Sequence, residues 1–234
     1  MTIDRFIEEL KKLNIKINEK QLEQLNKYYE LLIEYNKVMN LTGITEKEQV
    51  YLKHFYDSLT ITKIIDLEQE ETLCDIGTGA GFPGIVIKIL FPKLKVTLVD
   101  SLNKRIEFLK IIIKELQLEE IKAVHARAEE YARENIEKFD IVTSRAVAPL
   151  NILLEYSIPM VKINKYFIPF KGNISQEIKD SENALIKLNS TIERIEEFEL
   201  PIENSKRAII KIIKNSKTNK LFPRKYSEIK KKPL

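Results

Sequence analysis

Four of the chain's six glycines fall within eight residues, at Gly77, Gly79, Gly81 and Gly84 of the segment DIGTGAGFPG. The segment follows a short apolar run, Thr72 to Asp75, and precedes a helical stretch from about Pro83 to Phe91. Glycine at such a junction permits positive φ and lets a ligand lie against bare backbone at a strand end. A tight strand-to-helix turn needs only one or two glycines, so this density points to a ligand site. Further strands are expected at Lys95–Asp100 (KVTLVD), Ile121–Val124, Phe139–Ser144 (FDIVTS) and Ile163–Phe170. The stretches between them read as helices, with Ile106, Leu109, Ile113 and Leu116 turned inward on one, and others at Pro149–Tyr156 and Ser175–Leu188. Glu193–Leu200 and Arg207–Lys214 read as two closing strands, for a sheet of seven. Strands alternating with helices require right-handed crossovers, hence a mainly parallel sheet with helices on both faces.

Residues 1–66 have a different texture and read as an N-terminal helical extension to a domain spanning 67–234. Ile3, Phe6, Ile7, Leu10 and Leu13 form one apolar stripe at helical spacing. Asn18 with Gln21 is a capping box opening a second helix, whose stripe runs from Leu22 through Leu25, Tyr28, Tyr29, Leu32 and Ile33. Asn40 to Ile44 interrupts the pattern, and Thr45 with Glu48 reads as a further capping box before a helix through Phe55, Leu59 and Ile65.

The chain is 44% hydrophobic and 32% charged, too apolar for a disordered protein. No apolar run approaches the roughly 18 residues that span a bilayer, and Met1 to Lys12 lacks a signal peptide's apolar stretch. One cysteine (Cys74) and two histidines leave no disulfide and little material for zinc, so a cytoplasmic protein without membrane or metal is expected. Lys206 to Leu234 carries eleven Lys or Arg against one acid, while the other 205 residues sum to −6. That split describes either a basic surface for a polyanion or a solvated lysine-rich tail.

Two carboxylates frame the glycines. Asp75 ends the first strand, where it would repel a pyrophosphate but accept a cationic amine. Asp100 ends the second, where its two oxygens can take both hydroxyls of a ribose. An acid for an ammonium, an acid for a diol and glycines between them suit S-adenosylmethionine better than a dinucleotide. No Gly-Lys-Ser or Gly-Lys-Thr is present to make a P-loop. The plain alternative for Asp100 is the cap of the next helix, a role open to Ser101.

NLTGI (Asn40–Ile44), HFYDSL (His54–Leu59), DIGTGAGFPGI (Asp75–Ile85), SRAVAPL (Ser144–Leu150) and the closing PRKYSEIKKKPL (Pro223–Leu234) occur together in this order. With them the chain resembles the glucose-inhibited division protein B family, bacterial enzymes that methylate guanine N7 in 16S ribosomal RNA. One departure lies in the tail, where Ser227 or a neighbour stands where the family usually has glycine. The resemblance implies a Rossmann-like methyltransferase fold, S-adenosylmethionine as cofactor, and 16S rRNA, within a small ribosomal subunit or its precursor, as partner of a monomeric enzyme. It places the cofactor at Gly77 and Phe82, at Ala128 and Glu129 after the third strand, and at Arg145 after the fourth; Gly79, within the same glycine loop, is a further candidate. Ala128 and Glu129 suit an adenine, through a backbone N–H and a polar side chain. The alternative for Glu129 is an acid favoured by a helix macrodipole.

Arg145 can bond guanine O6, contact a phosphate or close over the cofactor; its alternative is an ion pair with Asp75 or Glu155. Lys171, Lys217, Lys220, Arg224 and Lys225 are candidate substrate contacts. His54 and Asp57 share a helix face, and a lone helical histidine is more often a packed residue than a catalyst. No general base is expected, because N7 has a free lone pair and no proton to lose. Two rival readings remain open from sequence: a methyltransferase of this fold with another substrate, and an RNA-binding protein whose cofactor loop is vestigial.

Overall fold

A computed structural model describes residues 1–234. Helices α1 (Ile3–Lys12) and α2 (Glu19–Met39) open the chain. The capping box at Asn18 and Gln21 forms as expected, each side chain taking the other residue's N–H. The box expected at Thr45 and Glu48 does not: α3 (Lys47–Val50) starts from Glu46 without a side-chain cap, and the Thr45 carbonyl accepts the Tyr29 hydroxyl. From α3 the chain continues as one irregular helix, with a π-helical segment Tyr51–Tyr56, then α4 (Asp57–Leu59) and a 3₁₀ turn Thr60–Lys63. A π segment packs more residues into each turn and re-aims the side chains that follow it, here His54 and Asp57.

The sheet comprises β1 (Thr72–Ile76), β2 (Lys95–Asp100), β3 (Ile121–His125), β4 (Phe139–Arg145), β5 (Val161–Lys171), β6 (Ser190–Glu199) and β7 (Lys206–Lys214). Their order is β3-β2-β1-β4-β5-β7-β6. The first five are parallel, and β7 runs antiparallel between β5 and β6. Crossovers are made by α5 (Gly84–Leu90), α6 (Asn103–Glu115), α7 (Ala128–Glu134), α8 (Leu150–Ser157) and a pair of short helices, α9 (Ser175–Asp180) and α10 (Glu182–Lys187). The single helix expected over 175–188 is broken at Ser181, whose hydroxyl bonds back to the Glu177 carbonyl. A last helix, α11 (Tyr226–Lys231), lies on the α8 side.

Alternation along each strand sends neighbouring residues to opposite cores. Leu73, Ile141 and Ile209 enter one cluster with Phe6, Leu25, Tyr28, Ile85 and Phe108. Cys74, Val142 and Ile210 enter the other with Leu153, Leu154, Ala184 and Ile229. The N-terminal helices thus share a core with α5 and α6. They also finish those helices: Gln21 donates to the Ile89 and Leu90 carbonyls and Gln24 to that of Leu116, satisfying orphan C-terminal acceptors.

Candidate active site

The carboxyl ends of β1, β2, β3 and β4 open onto a cleft of about 540 Å³. Gly77, Asp100, Ala128 and Glu129 all line it. Gly77 has φ +67, and a Cβ there would stand 2.6 Å from Val147. Gly84 is excluded from substitution for another reason: its Cβ would press to 2.3 Å from Leu98 and 2.9 Å from Asp75.

Asp75 lies fully buried beneath this loop. Its Oδ2 accepts the Thr78 hydroxyl at 2.6 Å and the Gly84 N–H at 2.9 Å, while Oδ1 has no partner. Burial pushes its carboxyl up to about 6, against the pull of those two bonds and of Arg145. Asp100 is also buried; it accepts Gly79 N–H at 3.0 Å, Leu102 N–H at 2.9 Å and the Arg105 guanidinium at 3.2 Å. Neither Asp100 nor Ser101 caps α6, whose N-cap is Leu102 with no side-chain cap; of the backbone groups there, Asp100 holds only the Leu102 N–H just before the helix. A carboxylate offers about four lone-pair positions, so roughly one is left for a ligand hydroxyl rather than the two expected. Ala128 and Glu129 form the first turn of α7, whose free N–H groups no side chain caps.

Arg145, Phe82 and the helical HFYDSL segment form a second cluster beside the glycine loop. Arg145 Nη1 donates to the Lys53 carbonyl at 2.9 Å and to Asp57 Oδ2 at 3.0 Å, and Nη2 reaches His54 Nδ1 at 3.2 Å. Asp57 is the ion-pair partner, in place of the Asp75 or Glu155 considered from sequence, and its other oxygen takes Arg207 at 3.2 Å. Phe82 underlies the group: the His54 ring stacks on it at 4.4 Å and the Arg145 guanidinium sits 5.3 Å from its centroid. Thr42 bonds His54 Nε2 at 2.8 Å.

A family model described as rRNA small subunit methyltransferase G matches residues 21–207. The chain belongs to that family. The Staphylococcus carnosus ribosomal RNA small subunit methyltransferase G is 46% identical over all of this chain and 99% of its own length. The Lysinibacillus sphaericus relative of that name is 48% identical over the whole of both chains. Among solved structures, a SAM-dependent methyltransferase from Aquifex aeolicus superposes with a TM-score of 0.51 at 17% identity, over 72% of this chain and 94% of that one, a likeness of fold.

In this member of the methyltransferase G family the basic tail is partly structural. Arg224, expected as a phosphate contact, makes a bidentate pair with the fully buried Glu155, at 2.7 and 2.6 Å, and anchors the segment leading into α11. Lys171, the last residue of β5, is committed to the Ala148 carbonyl and Glu177. Lys220 and Lys225 line a surface groove of about 970 Å³ with Arg133, Lys187, Lys231 and Lys232; Lys217 lies outside it. Ser227 sits in the first turn of α11, a helical position that does not call for glycine.

Sequence reasoning missed Tyr226 and Lys230, which reach from the tail into the cleft wall, and Arg105 on Asp100. The i, i+4 spacing of Tyr226 and Lys230 was the available signal. Arg127 lies 5.6 Å from the Tyr226 ring, tying the tail to the start of α7. No helix is long and apolar enough to cross a membrane.

Proposed function

We propose that the chain transfers the methyl group of S-adenosylmethionine to N7 of a guanine in 16S rRNA, acting as a cytoplasmic monomer on a small ribosomal subunit or its precursor. The observation that carries this is one edge of the sheet bearing a cleft lined by Gly77 and Asp100, with Asp75 buried beneath the glycine loop and an arginine cluster set beside it. The residues fit the cofactor. A buried carboxylate oxygen without a partner (Asp75 Oδ1) suits a cationic amine. Asp100 Oδ1, which accepts only Leu102 N–H, has room for a ribose hydroxyl, and uncapped N–H groups and an acid at Ala128 and Glu129 suit an adenine. Gly77 and Gly79 supply bare backbone, and Phe82 and Arg145 close the reacting end.

When bound, S-adenosylmethionine supplies an electrophilic methyl group on a positively charged sulfur. The protein's own task is placement, since guanine N7 presents a lone pair and needs no base; holding two reactants in line supplies much of the rate. In this reading residues 67–234 carry the cofactor, and the 1–66 segment brings Thr42, His54 and Asp57 to the place where the base must lie. Lys217, Lys220 and Lys225 would meet phosphates at the surface, with Lys171 and Arg224 holding that rim in shape.

The test is a substrate with carbon in place of the acceptor, 7-deazaguanine, at the methylated position. Transfer is expected to vanish, with RNA binding weakened by no more than about 1 kcal/mol, one hydrogen bond. Methylation of the deaza substrate at that residue would overturn the N7 assignment. Failure of calorimetry to detect cofactor binding would favour the vestigial-loop alternative.

A further inference from the structure

Hydrogen-bond chemistry fixes the protonation of His54. A guanidinium has five N–H groups and no acceptor, so His54 Nδ1, 3.2 Å from Arg145 Nη2, must receive. The proton of the neutral ring then sits on Nε2 and is donated to Thr42 Oγ1 at 2.8 Å. That hydroxyl oxygen also accepts the Ile44 N–H at 3.0 Å, which fills its two acceptor positions and makes Thr42 a receiver for His54. Burial, and secondly the charge of Arg145, push His54 down to about 3, in agreement with a neutral ring. Arg145 spends both Nη1 protons on Lys53 and Asp57 and one Nη2 proton on His54. Two donors remain, Nε–H and the second Nη2–H.

We propose that His54 is a positioning residue, locked by Thr42 with its proton on Nε2. It sets the rotation of the Arg145 guanidinium on Phe82 so that the two remaining N–H groups address the 6-oxo group of the target purine. The inference rests on the methyl-transfer reading above. It also makes this cluster the determinant of guanine over adenine: an oxygen at position 6 accepts from a guanidinium, whereas adenine's amino group at the same place only donates. A donor on the 6-oxo group anchors the base while leaving the N7 lone pair free to attack.

Two substitutions separate positioning from packing. His54→Phe keeps a ring on Phe82 and deletes the acceptor, whereas His54→Asn keeps an acceptor near the Nδ1 position. Single-turnover methyl transfer is expected to fall about 30-fold in His54→Phe, the scale of a modest misplacement of reacting groups, and to recover to within about threefold of parent in His54→Asn. Cofactor affinity should change less than about twofold in both, because His54 lies outside the cleft. Replacing the target guanine by 2-aminopurine, which lacks the oxygen, should slow the parent strongly and add little to the His54→Phe defect. Arg145→Lys combined with His54→Phe should be no slower than Arg145→Lys alone.

A parental rate in His54→Phe, an equal loss in His54→Asn, or full additivity with either partner change would overturn the assignment. Nitrogen-15 spectra of the parent give a readout free of catalysis: His54 should be neutral and protonated on Nε2 from pH 5 to 8, and a charged ring or a proton on Nδ1 would overturn the lock. If His54→Phe does not fold, that measurement and the milder Thr42→Val variant carry the test. A parent that binds cofactor, shows this tautomer and leaves guanine N7 unmethylated would sink the reaction reading alone.

Discussion

The cleft at the strand ends draws Gly77, Asp100, Ala128 and Glu129 from the ends of three successive strands, whereas the Arg145 cluster gathers Thr42, His54, Asp57, Phe82 and Arg207 from segments up to 165 residues apart. Their bonding differs as well. Asp75 and Asp100 are held chiefly by backbone N–H groups and local hydroxyls. The Arg145 cluster is held mainly by side chain on side chain. A site fixed by its own turn keeps its shape when one side chain is lost. A site fixed by a network of side chains loses the placement of several groups at once.

The largest effect is expected where the tail joins the cleft side. Arg224→Ala leaves the buried Glu155 carboxylate without its cation, keeping only the backbone N–H of residue 224, and should cost about 3 kcal/mol in denaturant-measured stability. Because Tyr226 and Lys230 line the cleft, cofactor affinity should fall in the same variant. A loss below about 1 kcal/mol would return Arg224 to the surface class of ion pairs and detach the tail from this comparison.

Next come two substitutions expected to act oppositely. Asp100→Ala should weaken cofactor binding by about 1.5–3 kcal/mol, the range for bonds to charged groups. Its methyl-transfer rate at saturating cofactor should stay near parental. Asp57→Asn should leave cofactor affinity in place and slow transfer about tenfold through a loosened Arg145. If both variants lose affinity and rate in equal measure, the two regions are one site energetically and the division fails.

A pH titration sharpens the cleft side further. Asp75 in the free protein is held up to about 6 by burial, so below that pH much of it is protonated. A cationic amine against Oδ1 favours the carboxylate and lowers its pKa, so binding expels a proton wherever the free group carries one. S-adenosylmethionine affinity should therefore rise with pH up to about 6 and level off above it, a slope that Asp75→Asn removes. Calorimetry in buffers of different ionisation enthalpy would detect the proton; affinity independent of pH from 5 to 7 would separate Asp75 from the amine. The smallest effect is expected from neutralising Lys217, Lys220 and Lys225, which should lower the salt slope of RNA binding by up to about 2. An unchanged slope would make the groove a solubilising surface.

The glycine loop, the seven strands and the N-terminal cap of α2 were legible because each is a local statement: a turn that needs positive φ, a run of apolar residues, a side chain reaching three positions on. The helix expected to open at Thr45 instead starts from Glu46, and the Glu48 carboxylate that would close the box lies 3.9 Å from the Met1 ammonium, a partner 47 residues away. Arg224 counted as one charge among eleven in the basic segment, and nothing along the chain says that Glu155, 69 residues away, lies buried beneath it.

By itself the sequence determined the α/β class and the position of the glycine loop between β1 and α5, because backbone conformation and strand burial depend on near neighbours. Only the tertiary structure decided the pairings: Arg145 with Asp57 and His54, Arg224 with Glu155, Tyr226 against the cleft. Those depend on which helices cover which face of the sheet. Ion pairs and hydrogen bonds extend over about 3 Å, and only the packed sheet brings residues so distant in the chain within that reach.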